Sequence, residues 1–249
     1  MTTKDKIIRH AHYIERYKSG QSKTIDKYLK RVDRVIRELL TRSNAIKSKK
    51  TLVAIQREAR ERILIIYKEW AKELDINLVD FAASEANFTA RAVGQSMAIP
   101  SQHVLAAAIR SRPFTTVLLR EELNNYTREQ VRLIKNAISN GFYTGESNAE
   151  IIKNIRGTKA NNFKDGILSI GKRKAERITR TAINHTSAQA RLKLLEANSD
   201  LFTRYEWVAT LDARTSNICK ELDGKQWKIG KGRVPPAHPN CRSTITPVL

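Results

Sequence analysis

The stretch YEWVATLDARTSNICKELDGKQWKIGKGRVPPAHPNCRSTITPVL, residues 205–249, decides how this chain is read. Both cysteines, Cys219 and Cys241, fall in it, with two of the three tryptophans, four of the six prolines and one histidine, His238. The helical periodicity of the preceding residues stops here. Trp207 and Val208 lie in a β-prone run, so residues 206–210 are predicted to be a short strand. In residues 212–216, DARTS, Asp212 is placed to accept backbone N–H bonds and Arg214 to grip a carboxylate with its planar fork. Residues 217–222 suit one helical turn. Asp223-Gly224 is a hairpin-type turn signal, and residues 227–229 read as the returning strand. Pro235 and Pro236 fix an extended approach to Ala237, His238 and Pro239.

A segment with so little helix needs something else to hold it, and three candidates do so. Zinc takes nitrogen and sulfur ligands in a tetrahedron, and His238-x-x-Cys241 has knuckle-like spacing; Cys219 supplies a third ligand, and Asp212 or His185 a candidate fourth. A Cys219–Cys241 disulfide would do the same in an oxidising compartment, although nothing marks the chain as secreted. The third is an ordinary small core, with both thiols buried as small hydrophobes and His238 bonded to backbone. Residue types and spacing leave all three open.

The order W-x(4)-D-x-R-T-x(3)-C, then D-G, then P-P-x-H-P-x-C-R-S resembles the C-terminal signature of the phage Mu F-like minor head proteins, a family that includes the SPP1-type head morphogenesis proteins. It is carried here by Trp207, Asp212, Arg214, Thr215, Cys219, Asp223, Gly224, Pro235, Pro236, His238, Pro239, Cys241 and Arg242. Residues 177–191, RITRTAINHTSAQAR, resemble the Arg-Thr-Glu helix that feeds this module in the family; Arg180 and Thr181 fit, but Ala182 stands where Glu is expected. The resemblance implies a non-enzymatic structural and assembly role in a tailed-phage head, inside the capsid near the portal. The implied partners are portal protein, capsid or scaffold. Some relatives carry fused toxin or ADP-ribosyltransferase domains. This chain has no Glu-x-Glu pair, and that activity is not carried over.

Lysine and arginine number 46 against 25 acidic residues, a net charge of +21 over 249 residues. The excess concentrates in two places, +10 over residues 1–50 and +7 over residues 151–200. A basic surface of this size favours polyanions through counterion release, which makes double-stranded DNA the expected partner. The candidate contacts are Lys27, Lys30, Arg31, Arg34, Lys172, Arg173 and Lys174. No run approaches the roughly 18 apolar residues of a membrane span, and residues 1–20 lack a signal-peptide core. The chain is therefore expected to be made in the host cytoplasm and to end in the virion.

Upstream of residue 205 the pattern is helical. Within residues 24–40, Ile25, Tyr28, Leu29, Val32, Val35, Ile36, Leu39 and Leu40 recur at spacings of three and four and form one apolar stripe. That stripe needs a partner helix, from this chain or from a second copy in an oligomer. Residues 51–74 read as a second helix, and Asn77 as the cap of a third over residues 78–95, whose small side chains allow close packing. Pro100 and Pro113 bracket a helix capped by Ser101. Residues 116–141 follow as one amphipathic helix, or two meeting at Thr127, with Gly141 as C-cap. Ser147 and Glu150 form a capping box. Residues 157–171 read as a loop and residues 172–197 as the last long helix, with His185 in its middle.

The expected architecture is mainly α: an elongated basic helical body over 1–160, a linker and long helix over 161–204, and an α+β module of short strands and irregular loops over 205–249. The common nucleotide and hydrolase motifs are absent. The competing reading is a metal-dependent nuclease built on His185, Asp212, Cys219, His238 and Cys241, for which the carboxylate supply is thin.

Overall fold

The computed structural model describes residues 1–42 and 48–248. Its helices are α1 (Thr3–Ser22), α2 (Ile25–Arg42), α3 (Lys49–Val93), α4 (Gln102–Ser111), α5 (Leu119–Thr144), α6 (Asn148–Arg156), α7 (Ile167–Ala197) and the short α8 (Asn217–Leu222). Three strands, β1 (Arg204–Val208), β2 (Gln226–Lys228) and β3 (Thr244–Val248), form one antiparallel sheet in the order β2-β1-β3. The chain is thus mainly helical with a small C-terminal sheet, as the periodicity predicts. Among the described residues, no helix is long and apolar enough to cross a membrane.

The predicted stripe on α2 is buried at all eight positions, from Ile25 to Leu40. Transfer of one such side chain from water stabilises by about 1.5–3 kcal/mol. The stripe finds its cover within the chain and needs no second copy.

Two predicted breaks, at Asn77 and Gly141, turn out to be continuous helix, because each residue has another job, and of the two readings of residues 116–141 the single helix holds. Asp75 and Asn77 lie inside the 45-residue α3. Asp75 pairs with Arg110 at 2.6 Å, and Asn77 Nδ2 donates to Gln21 Oε1 at 3.1 Å, so neither side chain turns back to cap. Thr127 stays in α5 by donating its hydroxyl to Leu123 O at 2.9 Å. Gly141 is not the cap of α5, which runs on to Thr144; Gly145, at φ 74°, takes the left-handed position. A Cβ on Gly141 would overlap Ile151 of α6, so this glycine serves close helix approach.

The remaining caps fall where predicted. Ser101 accepts from Val104 N, and Ser147 with Glu150 completes both bonds of the capping box. The predicted loop 157–171 is shorter than its glycines suggest, because α7 starts at Ile167. Asp165 closes the true loop by accepting from Thr158 N and Oγ1, both at 2.7 Å.

The chain forms two compact units. One comprises Ser22–Glu73 and Glu122–Glu176. Its aromatic centre sets Tyr67 and Trp70 edge-on to Tyr126, each at 5.3 Å. The other comprises Met1–Gln21, Leu74–Glu121 and Arg177–Leu249. There Ala82 and Ala86 of α3 meet Leu105 and Ile109 of α4 and Ala190 of α7, the close packing that the small residues of 78–95 predict. Leu192, Leu195 and Phe202 pack on Tyr205 and Ile245 of the sheet.

Candidate functional site

The site is built where β1 ends. Asp212 heads the DARTS corner: its Oδ1 accepts from Arg214 N at 2.8 Å, and its own N–H donates to Thr215 Oγ1 at 2.8 Å. The guanidinium fork that grips it belongs to Arg242, with both N–O distances 2.6 Å. Arg214, expected to reach a carboxylate, lies 3.5 Å from Asp212 and stays 81% exposed. Arg242 lies 30 residues away, and nothing in local spacing selects it. The paired Arg242 holds the Asp212 carboxyl far below the usual range, followed by the Arg214 N–H bond.

Asp223-Gly224 is not a hairpin turn, because α8 intervenes between β1 and β2. Instead Asp223 Oδ1 accepts from Ala209 N at 2.7 Å, and Gly224, at φ 74°, donates to Trp207 O at 2.9 Å. The pair staples the end of α8 to β1. Trp207, fully buried, packs with Cys219, Leu222 and Cys241. The Pro235–Pro236 bond is cis, and the chain from there delivers His238 to the same place.

Ser216 caps α8, and Cys219 sits one turn in, its N–H facing Ser216 Oγ at 3.4 Å. Cys219 Sγ lies 3.7 Å from Cys241 Sγ and 3.2 Å from His238 Nε2. Both cysteines are free. Pro239 O accepts from His238 Nδ1 at 2.8 Å, and a carbonyl can only accept, so Nδ1 carries the proton and Nε2 presents its lone pair to the sulfurs. Ser216 Oγ is 2.8 Å from Nε2 and is its natural donor. Cys241 donates to Cys219 and holds the Cys219 thiol well below its ordinary value; the same bond, with burial, pushes Cys241 up. Cys219, His238 and Cys241 therefore form one cluster, with donor atoms all within 4.8 Å of one another.

Neither predicted fourth ligand joins it. Asp212 gives both oxygens to Arg242, and His185 Nε2 bonds Ile109 O at 3.2 Å. His185 is buried at 1% exposure, and burial pulls its imidazole down to about 4.

Behind the cluster lies a layer of polar side chains that pattern reading missed. Thr181 Oγ1 accepts from Asn240 N at 2.9 Å, Asn184 Nδ2 donates to Ser243 O at 3.1 Å, and Arg191 donates to Thr244 Oγ1. Lys18 of α1, 2% exposed, donates to Asn184 Oδ1 at 2.9 Å and Cys241 O at 3.2 Å; burial pulls its pKa down. Arg191 also pairs with Glu85 of α3 at 3.0 Å, both 1% exposed, and Glu85 further engages His10 and Ser187. Burial alone would raise the Glu85 carboxyl, but Arg191 and His10 outweigh it and hold it below its ordinary value. Ala182, at the position where the family resemblance leads one to expect Glu, is fully buried. A scattered Lys, Glu and Arg amid apolar helix is the one signal that was available.

The seven candidate DNA-contacting cations all lie in the unit formed by 22–73 and 122–176. Four are ion-paired: Lys27 with Glu73 at 2.6 Å, Arg31 with Glu69 at 2.5 Å, Lys172 with Asp26 at 2.8 Å, and Lys174 with Glu129. Arg173 bonds Ser169 Oγ at 3.0 Å. Among the described residues, Lys30 and Arg34 have no carboxylate partner and point to solvent. A groove of about 680 Å³ brings Lys30, Lys172 and Arg173 together with Arg156, Lys164 and the half-exposed Phe163.

No curated protein and no solved structure gives a match to this chain. A family model does: Phage Mu protein F like protein matches residues 132–246, which take in the second half of α5, all of α6 and α7, the sheet except the last residues of β3, and the whole thiol–imidazole cluster. Over residues 132–246 the chain is thus similar to the Phage Mu protein F like family, which supports the head-morphogenesis family that the residue order resembles.

Proposed function

We propose that this chain is a minor head protein of a tailed phage, placed inside the capsid near the portal, where it contacts portal protein, with capsid or scaffold as further neighbours, and packaged double-stranded DNA. The observation that carries the head role is the family match over 132–246. The DNA part rests on charge: a net +21, with Lys30, Lys172 and Arg173 along one groove. Because the apolar stripe of α2 is already covered, self-association through residues 24–40 uses its charged face. The C-terminal segment serves as a preformed, non-catalytic clamp, for which zinc is the fitting ion. The nuclease reading finds little support, since the one donor cluster among the described residues contains no carboxylate.

Fluorescence anisotropy of the full chain with a labelled duplex tests the DNA contact. Several phosphate contacts imply a fall in affinity of at least about tenfold between 50 and 200 mM salt. Lys30→Glu with Arg34→Glu weakens binding without regard to base sequence. Binding that keeps its strength across that salt range overturns the electrostatic reading. For the position in the head, a tag on this chain located by cryo-electron microscopy of purified particles is expected at the portal vertex; label spread over all vertices refutes it.

A further inference from the structure

We propose that Cys219 Sγ, Cys241 Sγ and His238 Nε2 form a zinc site with three protein ligands and a water as the fourth. The inference refines the reading of the C-terminal segment as a clamp, and it stands apart from the DNA and portal contacts.

The argument begins with spacing. Two thiolates at about 2.3 Å from a tetrahedral zinc lie about 3.8 Å apart, and a thiolate and an imidazole nitrogen about 3.6 Å apart. The structure has 3.7 Å between the sulfurs and 3.2 Å from Cys219 Sγ to His238 Nε2, each within a few tenths of an ångström of those values, and Cys241 Sγ lies within 4.8 Å of Nε2, so an ion enters with that third edge closing by up to about 1 Å. A disulfide needs the sulfurs at about 2.05 Å, a far larger movement. Orientation comes next. The Pro239 carbonyl fixes the imidazole with Nδ1 protonated and the Nε2 lone pair toward the sulfurs, the arrangement that metal-bound histidines use, and an ion takes that lone pair in place of the Ser216 hydroxyl. Ligand softness selects the ion: two sulfurs and an imidazole suit zinc and not magnesium or calcium. Both thiol protons leave to solvent as the ion binds.

The fourth position follows by elimination and by space. Asp212 is committed to Arg242 and His185 to Ile109 O. Beside Cys219 and His238 lies a cavity of about 20 Å³ lined by Thr210, Thr215, Ser216 and Asn240. That is room for one water, with hydroxyls to hold it, and too little for an organic substrate. The ion therefore ties α8 to the residues leading into β3.

Elemental analysis of the full chain, purified under reducing conditions, is expected to show about one zinc per chain. Replacing it with cobalt(II) gives tetrahedral visible bands and a thiolate-to-cobalt charge-transfer band. Cys219→Ser and Cys241→Ser each lower metal content at least about tenfold, as does His238→Ala, whereas His238→Cys retains it. Where a variant does not fold, cobalt titration of the unaltered chain decides. A chain with both thiols free and less than about a tenth of an equivalent of zinc or cobalt overturns the proposal, as does a Cys219–Cys241 disulfide detected by mass.

Discussion

Mild acid should destabilise this protein through a histidine that touches no ligand. His185 donates Nε2–H to Ile109 O, and its Nδ1 is buried with no hydrogen-bond partner. A proton added there would sit in an apolar pocket facing the edge of Phe114, with Arg112 nearby to repel it. Burial, the larger cause, holds the imidazole at about 4, whereas in the unfolded chain it titrates at 6.5. The native state therefore keeps it neutral while the unfolded chain takes up the proton. Its stabilising effect is complete above about pH 6.5 and is lost as the pH falls toward 4. Between pH 7.5 and pH 5 the linkage amounts to about 2 kcal/mol, a large share of a typical folding free energy. His185→Gln keeps an amide donor for Ile109 O and cannot titrate. Urea unfolding of both proteins at the two pH values isolates the effect, since all other groups titrate alike in each. The expected result is a pH-dependent loss about 2 kcal/mol smaller in the variant. Equal losses in the two proteins would show that His185 has no part in acid sensitivity.

Two further outcomes follow from packing. Arg191→Met leaves Glu85 charged and buried with only His10 and Ser187 beside it, and should cost about 3–5 kcal/mol in urea unfolding; adding Glu85→Gln should recover part of it. A loss below about 1 kcal/mol would mean that the pair is dispensable. Gly141→Ala should destabilise by about 1–3 kcal/mol through its collision with Ile151. Helix propensity alone gives the opposite sign, a gain of about 1 kcal/mol, so the direction of the change in melting temperature separates the two accounts.

What the sequence made legible was whatever depends on near neighbours. The α2 stripe, the Ser101 and Ser147 caps, and β1 with Trp207 all follow from residues within a turn or two of each other. Cys219, His238 and Cys241 came together because an unusual residue order marked them as a group. The failures share a cause. Asn77 and Gly141 look like helix punctuation, and each is claimed by a distant contact, with Gln21 and Ile151 respectively. β3 ends in Thr246, Pro247 and Val248, and a proline near a chain end gives little strand signal until Tyr205 is seen opposite it. Arg242 could not be read as the partner of Asp212 for the same reason: geometry at a separation of 30 residues leaves no trace in spacing.

The central part of α7 shows why amphipathic reading fails where the chain matters most. Residues 181–192 are buried without interruption although five of the first seven side chains after Ala182 are polar. Such a run has no solvent face, so a helical moment has nothing to report. Its polar groups meet the segment 240–243, which leads into β3, and the side chain of the first residue of that strand. Asn240 N, Ser243 O and the Thr244 hydroxyl are met by Thr181, Asn184 and Arg191, which recur along one side of α7, and Cys241 O is met by Lys18. Buried backbone groups left unpaired cost about 1–3 kcal/mol each. The cluster of Cys219, His238 and Cys241 is thus held in shape from two directions, by Ser216 and Pro239 within its own segment and by α7 and α1 from behind. A donor set fixed in this way needs little reorganisation to receive an ion.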